Sequence, residues 1–197
     1  MIDLVYAHPY PDRSIANRVL VAALDGLPGL RLASLYDLYP DWAIDVDAEQ
    51  AALASAELLV LQHPLHWYGC TPMLKLWLDK VLELGWAYGK DGTALRGKTC
   101  LWVVTTGGDA HSYSPEGLHA HAIEAFTTPM RQTAALCGMR FVEPFVLHAA
   151  HRRSPASLEA AGRAYRERII ELTEAFDTET GLPVVTEASL PAEELGQ

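Results

Sequence analysis

Three short segments of the sequence combine polar, aromatic and glycine residues in patterns that suit ligand binding. They span residues 8–17, 62–69 and 105–108, and each follows a short apolar run typical of a buried strand. In an open parallel sheet, ligands bind outside the carboxyl ends of the strands, where the strand order reverses. We therefore expect the three segments to converge on one edge and to form a single site.

The first segment, His-Pro-Tyr-Pro-Asp-Arg-Ser-Ile-Ala-Asn, favours binding of a phosphate. Ser14 opens an amphipathic helix with His8 close by, and unpaired N–H groups of a first helical turn can hold a phosphate together with a hydroxyl. The segment lacks the Gly-x-Gly-x-x-Gly of a dinucleotide site and the Gly-Lys-Ser/Thr of a triphosphate loop. The alternative is that Ser14 only caps the helix and that His8 only ends a strand.

The other two segments favour a flat ring. Trp67 and Tyr68 stand beside a glycine, and such aromatic side chains suit stacking on a planar ligand, although an aromatic pair on a loop is equally often part of a core or an interface. In the third segment two threonines precede two glycines, and glycine lets backbone N–H groups approach a ligand closely.

The elements that must position these segments alternate along the chain. Helical periodicity predicts helices between the strands, one of them beginning at Thr128-Pro129. The stretch 109–127 is long and poorly periodic, and loops of that length are usually functional. Short apolar runs predict five strands, near residues 2–7, 30–35, 58–62, 100–105 and 140–147. This alternation indicates an α/β fold with a parallel sheet and helices on both faces.

Length and charge limit the classes of function. The 197 residues suffice for one domain, which we expect over residues 1–176, followed by a flexible acidic tail over 177–197 that holds five acidic residues and no Lys or Arg. The net charge of −10 argues against nucleic acid and against an anionic bilayer as partner. The apolar runs are much shorter than the roughly 20 residues of a membrane helix. We expect a cytoplasmic protein.

The sequence offers few side chains that could act together as metal ligands. His111, His119 and His121 have few acidic neighbours and no nearby cysteine, and the three cysteines form no Cys-x-x-Cys pair. We therefore expect no metal site.

Seven motifs occur in a characteristic order between about residues 1 and 176. They are YAHPYP (6–11), LYDLYPD (35–41), QHPLHWY (62–68), LKLWLDKVL (74–82), GWAYG (85–89), GTALRGK (92–98) and TTGG (105–108). In these motifs the sequence resembles the NAD(P)H:quinone oxidoreductase family of flavodoxin-like proteins, which includes DT-diaphorase. It is most similar to the ancillary quinone reductases of the glutathione-regulated potassium-efflux system.

The resemblance implies a flavodoxin-like fold, a five-stranded parallel sheet in the order 2-1-3-4-5, and a flavin. FMN is favoured over FAD because so compact a chain lacks an evident adenine-binding segment. By matching position, the flavin phosphate and ribityl chain are held by His8, Ser14, Ile15, Ala16 and Asn17. The isoalloxazine ring is lined by Pro64, Leu65, His66, Trp67 and Tyr68. Its pyrimidine edge is contacted by Thr105, Thr106, Gly107 and Gly108.

The resemblance also implies an activity. Members of the wider family place a tyrosine and a histidine, six residues apart, where they assist charge development on the flavin, and the matching positions are Tyr113 and His119. The implied reaction is two-electron, ping-pong transfer of a hydride from NAD(P)H through the flavin to a quinone or a similar planar acceptor. The alternative is an ancillary subunit that docks on a potassium-efflux transporter at the inner face of the membrane, with or without turnover.

A homodimer is the expected assembly. The family resemblance implies it, and the segment Gly85-Trp86-Ala87-Tyr88 carries two aromatic side chains that we expect to be exposed. Aromatic residues of this kind are enriched at interfaces.

Overall fold

The computed structural model describes residues 1–178. Of the tail expected over 177–197, all but the first two residues lies outside the described residues. The strands are β1 (Ile2–Tyr6), β2 (Leu30–Ser34), β3 (Leu58–Pro64), β4 (Thr99–Thr105), β5 (Arg140–Phe141) and β6 (Phe145–Leu147). The helices are α1 (Ile15–Ala22), α2 (Leu35–Leu38), α3 (Val46–Ser55), α4 (Pro72–Val81), α5 (Ile123–Leu136) and α6 (Pro155–Thr178).

The sheet has the predicted parallel order. Its path is β2-β1-β3-β4-β5, and β6 also pairs with β4. The order reverses between β1 and β3, because the chain first moves outward to β2 and then crosses to the other side of β1. The register pairs Tyr6 with Gln62 and Pro64 with Thr105, so the loops that leave β1, β3 and β4 start side by side.

The two faces of the sheet are covered by different helices. On one face, α1 and α6 contribute Leu20, Tyr165 and Ile169 to an apolar cluster with strand residues. On the other face, α4 and α5 contribute Trp77 and Met130 to a second cluster. Helices on both faces are the expected arrangement for a parallel sheet that is buried on both sides.

The single strand predicted over residues 140–147 is wrong, because two short strands replace it. Phe141 pairs with Cys100 and Phe145 pairs with Val103. The neighbouring chain therefore advances by four residues where β4 advances by three, so it contains one extra residue. Pro144 lies in this gap and has no N–H to give to the ladder. The extra residue shifts the register between β4 and its neighbour by one. As a result, residues 148–150, which follow β6, lie beside the loop that follows β4.

The helix predicted to begin at Thr128-Pro129 begins five residues earlier, at Ile123, and Pro129 lies inside it. Local sequence favoured the later start because proline is common in a first helical turn. Tertiary packing stabilises the earlier turn. Thr127 is buried and its hydroxyl donates to the Glu124 carbonyl, and the Phe126 ring stacks on a tyrosine of the loop after β3.

A buried charge network lies at the amino-terminal side of the sheet, and the sequence analysis missed it. Arg31 forms ion pairs with the buried carboxylates of Asp3 and Glu49. Glu49 also accepts hydrogen bonds from the Tyr39 hydroxyl at 2.8 Å and the Trp77 indole N–H at 2.9 Å. Burial raises the pKa of Asp3 despite the nearby Arg31. The network joins β1 and β2 to α3 and α4, far from the converging loops.

The aromatic segment expected to be exposed is largely covered. Trp86 and Tyr88 are half-buried and pack against the core cluster beneath α4, and Ala87 between them is fully buried. The expectation of exposed aromatic side chains in this segment is therefore wrong, because the turn that carries them folds back onto the core.

Candidate functional site

The three loops meet at the carboxyl ends of β1, β3 and β4, as predicted, and enclose two adjoining cavities. The larger one has a volume of about 510 Å³ and the smaller one about 250 Å³. The larger cavity is lined by most of the predicted residues of the first and third segments and by part of the second. They are His8, Ser14, Ile15, Ala16, Asn17, Pro64, Leu65, His66, Thr105, Thr106 and Gly107. The smaller cavity is lined by the predicted residues Trp67, Tyr68, Gly108, Tyr113 and His119. Leu65 and Gly107 line both cavities.

Ser14 caps α1 and keeps a hydroxyl proton available to a ligand. Its Oγ accepts hydrogen bonds from the Asn17 backbone N–H at 3.3 Å and from the Asn17 side-chain amide at 3.0 Å. Because both contacts use lone pairs of Oγ, the Ser14 hydroxyl can still donate. The N–H groups of Ile15 and Ala16 belong to the same first helical turn, where intrahelical acceptors are lacking. This end of the larger cavity therefore has the donor set of an anion site.

Asn17 connects all three loops from inside the protein. Its amide donates to Ser14 Oγ and to Thr105 Oγ1, both at 3.0 Å, and its Oδ1 accepts from Gln62 Nε2 at 3.3 Å. Asn17 is 2% exposed, and its side-chain amide is engaged by these protein groups. The geometry supports a positioning role for this side chain, while the sequence resemblance implied that Asn17 is one of the residues that hold the flavin phosphate and ribityl chain.

His8 is a neutral hydrogen-bond donor at this end of the cavity. Burial, with a smaller contribution from His66, lowers the pKa of His8. Its Nδ1 accepts the Tyr10 backbone N–H at 3.0 Å, so the proton of the neutral ring lies on Nε2. The sequence analysis missed several other lining residues, among them three that add positive charge or polar N–H groups: Arg13, His151 and Arg153. Arg13 directly precedes Ser14 in the first segment, whereas His151 and Arg153 belong to the loop before α6, which approaches α1 only after folding.

The loop after β3 presents its aromatic pair on a strained turn. Trp67 and Tyr68 have φ angles of 48° and 65°, a left-handed conformation that costs roughly 1–2 kcal/mol per residue outside glycine. Reciprocal backbone hydrogen bonds between His66 and Gly69 close the turn. Trp67 is 95% exposed, so its own packing does not offset this strain. Strained backbone of this kind is concentrated at functional sites.

An aromatic cluster forms the wall of the smaller cavity. The rings of Tyr113 and His119 lie 4.4 Å apart, and His119 Nδ1 lies 3.4 Å from the Tyr68 hydroxyl. Phe126 stacks on Tyr68 at 5.3 Å. The sequence analysis missed Phe126, because it fell in the stretch predicted as loop. Burial raises the pKa of Tyr113, so this residue keeps its proton at neutral pH and can donate a hydrogen bond.

Gly108 lies tightly against this cluster. A Cβ atom placed on it would meet Tyr113 Cε2 at 3.1 Å and His119 Nε2 at 3.3 Å. A side chain at this position would push the two rings away from the loop. The glycine therefore allows the third loop to lie close to the Tyr113–His119 pair, whereas the sequence analysis expected the glycines to let backbone N–H groups approach a ligand.

The arrangement fits an elongated ligand with a phosphate at one end and a flat ring at the other. Anion-binding groups lie in the larger cavity, and aromatic groups and a glycine loop lie in the smaller one. Within residues 1–178, no group of three His, Cys, Asp or Glu side chains is placed to hold a metal ion.

Comparison with known proteins assigns the chain to a family. The model of the flavodoxin-like fold matches residues 2–171. The chain belongs to the flavodoxin-like family. This protein is also 47% identical over 175 residues to the glutathione-regulated potassium-efflux system ancillary protein KefF of Klebsiella aerogenes, covering 89% of this chain and 98% of the relative. The resemblance seen in the sequence motifs is thereby confirmed.

Two solved structures share the fold closely. A protein described as a thermophilic tryptophan halogenase from Streptomycin violaceusniger has a TM-score of 0.83 and 37% identity, covering 86% of this chain and 98% of that chain. General stress protein 14 of Treponema denticola, solved in complex with FMN, has a TM-score of 0.79 and 32% identity, covering 88% and 98%. Across residues 1–178 of this flavodoxin-like protein, none of the helices has the length and apolar character to cross a membrane.

The strained turn yields a stability prediction. We expect Trp67→Asn to raise the melting temperature of the ligand-free protein by about 2–4 °C, because asparagine tolerates positive φ and the exposed Trp67 ring contributes little packing. Thermal unfolding followed by circular dichroism measures the effect. Trp42→Asn is the matched control, since Trp42 also has positive φ but packs edge-on against Tyr36. A fall in melting temperature for both variants would refute the assigned strain.

Proposed function

We propose that this flavodoxin-like protein is an FMN-dependent NAD(P)H:quinone oxidoreductase of the cytoplasm. The observation that carries the proposal is one cleft in which an anion-binding helix terminus, a glycine loop and an aromatic wall lie in sequence. The helix terminus suits the phosphate of FMN, and the glycine loop and the aromatic wall suit its ring. The family resemblance in the motifs supports the activity, and the FMN complex of the Treponema denticola protein supports the cofactor.

The phosphate end would be held by the first turn of α1. Ser14 and His8 each have a donor left for it, and Arg13 and Arg153 line the same cavity and balance its negative charge. A phosphate at a helix terminus is also stabilised by the helix dipole. FMN ends in such a phosphate, whereas FAD, the alternative, carries an additional adenosine monophosphate group that would have to be accommodated beyond it.

A flavin held in this cleft would supply hydride chemistry: a hydride taken from NAD(P)H would be transferred, with a proton from the medium, to a quinone, which is thereby reduced to a hydroquinone. The backbone N–H groups of Gly107 and Gly108 would stabilise negative charge that develops at the pyrimidine edge. Tyr113, with its raised pKa, retains a proton beside that edge. Tyr68 and Phe126 stack on each other at the ring end. One pocket then serves both substrates in turn.

The visible spectrum of the purified protein tests the proposal first. We expect flavin absorption, release of FMN identified by mass, and parallel lines when the NAD(P)H and quinone concentrations are both varied. Release of FAD would correct the cofactor, and intersecting lines would contradict the shared pocket. A protein that stays colourless after addition of FMN, or that halogenates tryptophan in place of reducing quinones, would overturn the proposed function.

Replacement of one hydroxyl tests the role of Tyr113. We expect Tyr113→Phe to lower kcat/KM for the quinone by about 10²-fold, because the O–H donor is lost while the ring still packs on His119 and Phe126. FMN content remains unchanged. Tyr165→Phe is the matched control, since its buried hydroxyl has no hydrogen-bond partner among the described residues. Equal rates for Tyr113→Phe and the wild type would remove Tyr113 from the mechanism.

We also propose an ancillary role, docking on a potassium-efflux transporter at the inner face of the membrane. The name of the KefF relative supports it. Docking and turnover are separable if they use different surfaces. The Tyr113→Phe variant then co-purifies with the transporter as the wild type does, and loss of capture with normal turnover would contradict this separation.

A homodimer is the third part of the proposal. Trp67 is 95% and Leu118 84% exposed beside the smaller cavity, and exposed apolar side chains at the rim of a site suit coverage by a second copy. Light scattering at micromolar concentration should give twice the chain mass of 21.6 kDa. A monomeric mass would remove this part of the proposal and leave the redox activity untouched.

A further inference from the structure

The segment that follows β6 is bonded along its length to the loop that follows β4. The Thr106 N–H donates to the Leu147 carbonyl at 3.0 Å, and the Ala150 N–H donates to the Thr106 carbonyl at 3.0 Å. The Ala149 N–H donates to the Gly108 carbonyl at 2.8 Å. Because of the extra residue between β5 and β6, this segment reaches the glycine loop in register.

A side-chain relay reinforces the same contact. The hydroxyl of Thr106, which is 2% exposed, donates to the Gly108 carbonyl at 2.8 Å. His148 Nδ1 lies 3.1 Å from the same Thr106 Oγ1. Since the single hydroxyl proton is used on Gly108, His148 Nδ1 must be the donor in this second contact. The direction of donation therefore runs from His148 to Thr106 and from Thr106 to Gly108.

The Gly108 carbonyl thus has two donors, and the rest of the glycine is confined as well. Its α-carbon faces Tyr113 so closely that a Cβ atom would lie 3.1 Å from the ring. The backbone of Gly108 is held between the Tyr113 ring on one side and the hydrogen bonds of Thr106 and Ala149 on the other. Two hydrogen bonds and one steric contact leave its peptide little freedom to rotate.

The segment that carries His148 is itself held in an uncommon conformation. Ala149 has a φ of 52°, which is costly for a residue with a Cβ atom. The Arg153 Nε donates to the His148 carbonyl at 2.9 Å and stabilises this bend. Burial, followed by the charge of Arg153, lowers the pKa of His148, so the ring is neutral at physiological pH.

We propose that His148 is a positioning residue that orients the Thr106 hydroxyl and thereby sets the Gly107-Gly108 backbone against the flavin pyrimidine edge. The assignment of that edge rests on the proposed function. His148 would not contact the reacting atoms. It acts through Thr106.

A pair of substitutions in the holoenzyme tests the proposal. We expect His148→Leu to raise the dissociation constant for FMN about five- to tenfold, the effect of one lost hydrogen bond, and to shift the midpoint potential of the bound flavin. In His148→Asn the amide N–H replaces Nδ1–H, and we expect both quantities to return to within about twofold of the wild type. Equal behaviour of the Leu and Asn variants, or a Leu variant like the wild type, would overturn the proposal.

Two controls keep the result interpretable. His111→Leu makes the same exchange at an exposed histidine outside both cavities and should change neither quantity. If His148→Leu fails to fold, Thr106→Val and Thr106→Ser replace the pair, since valine removes the hydroxyl and serine keeps it. Serine must then restore FMN affinity and valine must not.

Amide hydrogen exchange separates this inference from the proposed function. The Ala149 N–H should exchange slowly in the wild type, faster in His148→Leu, and slowly again in His148→Asn, whether or not flavin is present. A wild type that binds no FMN but shows this exchange pattern would refute the flavin role and retain the relay. Unchanged exchange in all variants would refute the relay even if FMN is bound.

Discussion

The site depends on the buried amide of Asn17. Three loops leave three different strands, and a ligand that spans them needs their relative positions held to a fraction of an ångström. Asn17 donates to Ser14 and Thr105 and accepts from Gln62, so one planar group sets the spacing of all three. Since the amide is buried, its hydrogen bonds do not compete with water, and an unmet partner would be costly.

Several non-glycine residues near this site hold a strained, left-handed backbone conformation. Trp67 and Tyr68 lie in left-handed turns on one side of the cleft, and Ala149 does so on the other. Each is held by hydrogen bonds that reach across a loop or between loops. The strained conformations direct an aromatic side chain or a backbone N–H group to a position that an unstrained backbone would not give it. Strained backbone is retained mainly at sites that bind a ligand.

Convergence of the loops was predictable because strand ends of a parallel sheet share an edge, and the motif order identified which loops they are. Other features could not be predicted from local sequence patterns. The division of the fifth strand depends on a bulge that only pairing with β4 reveals. The early start of α5 depends on packing of Phe126 against Tyr68. The relay through His148 depends on the register that the bulge creates.

The sequence by itself determined the alternation of strands and helices, the polar and glycine character of the loops, and the family. Those properties can be predicted from local periodicity and from short motifs. Only the tertiary structure decided that Asn17 faces inward, that Arg13 and Arg153 line one cavity, and that His148 lies behind Gly108. Arg13 and Arg153 are 140 positions apart in the chain. The geometry of such arrangements depends on the sheet register and on core packing, which no local pattern encodes.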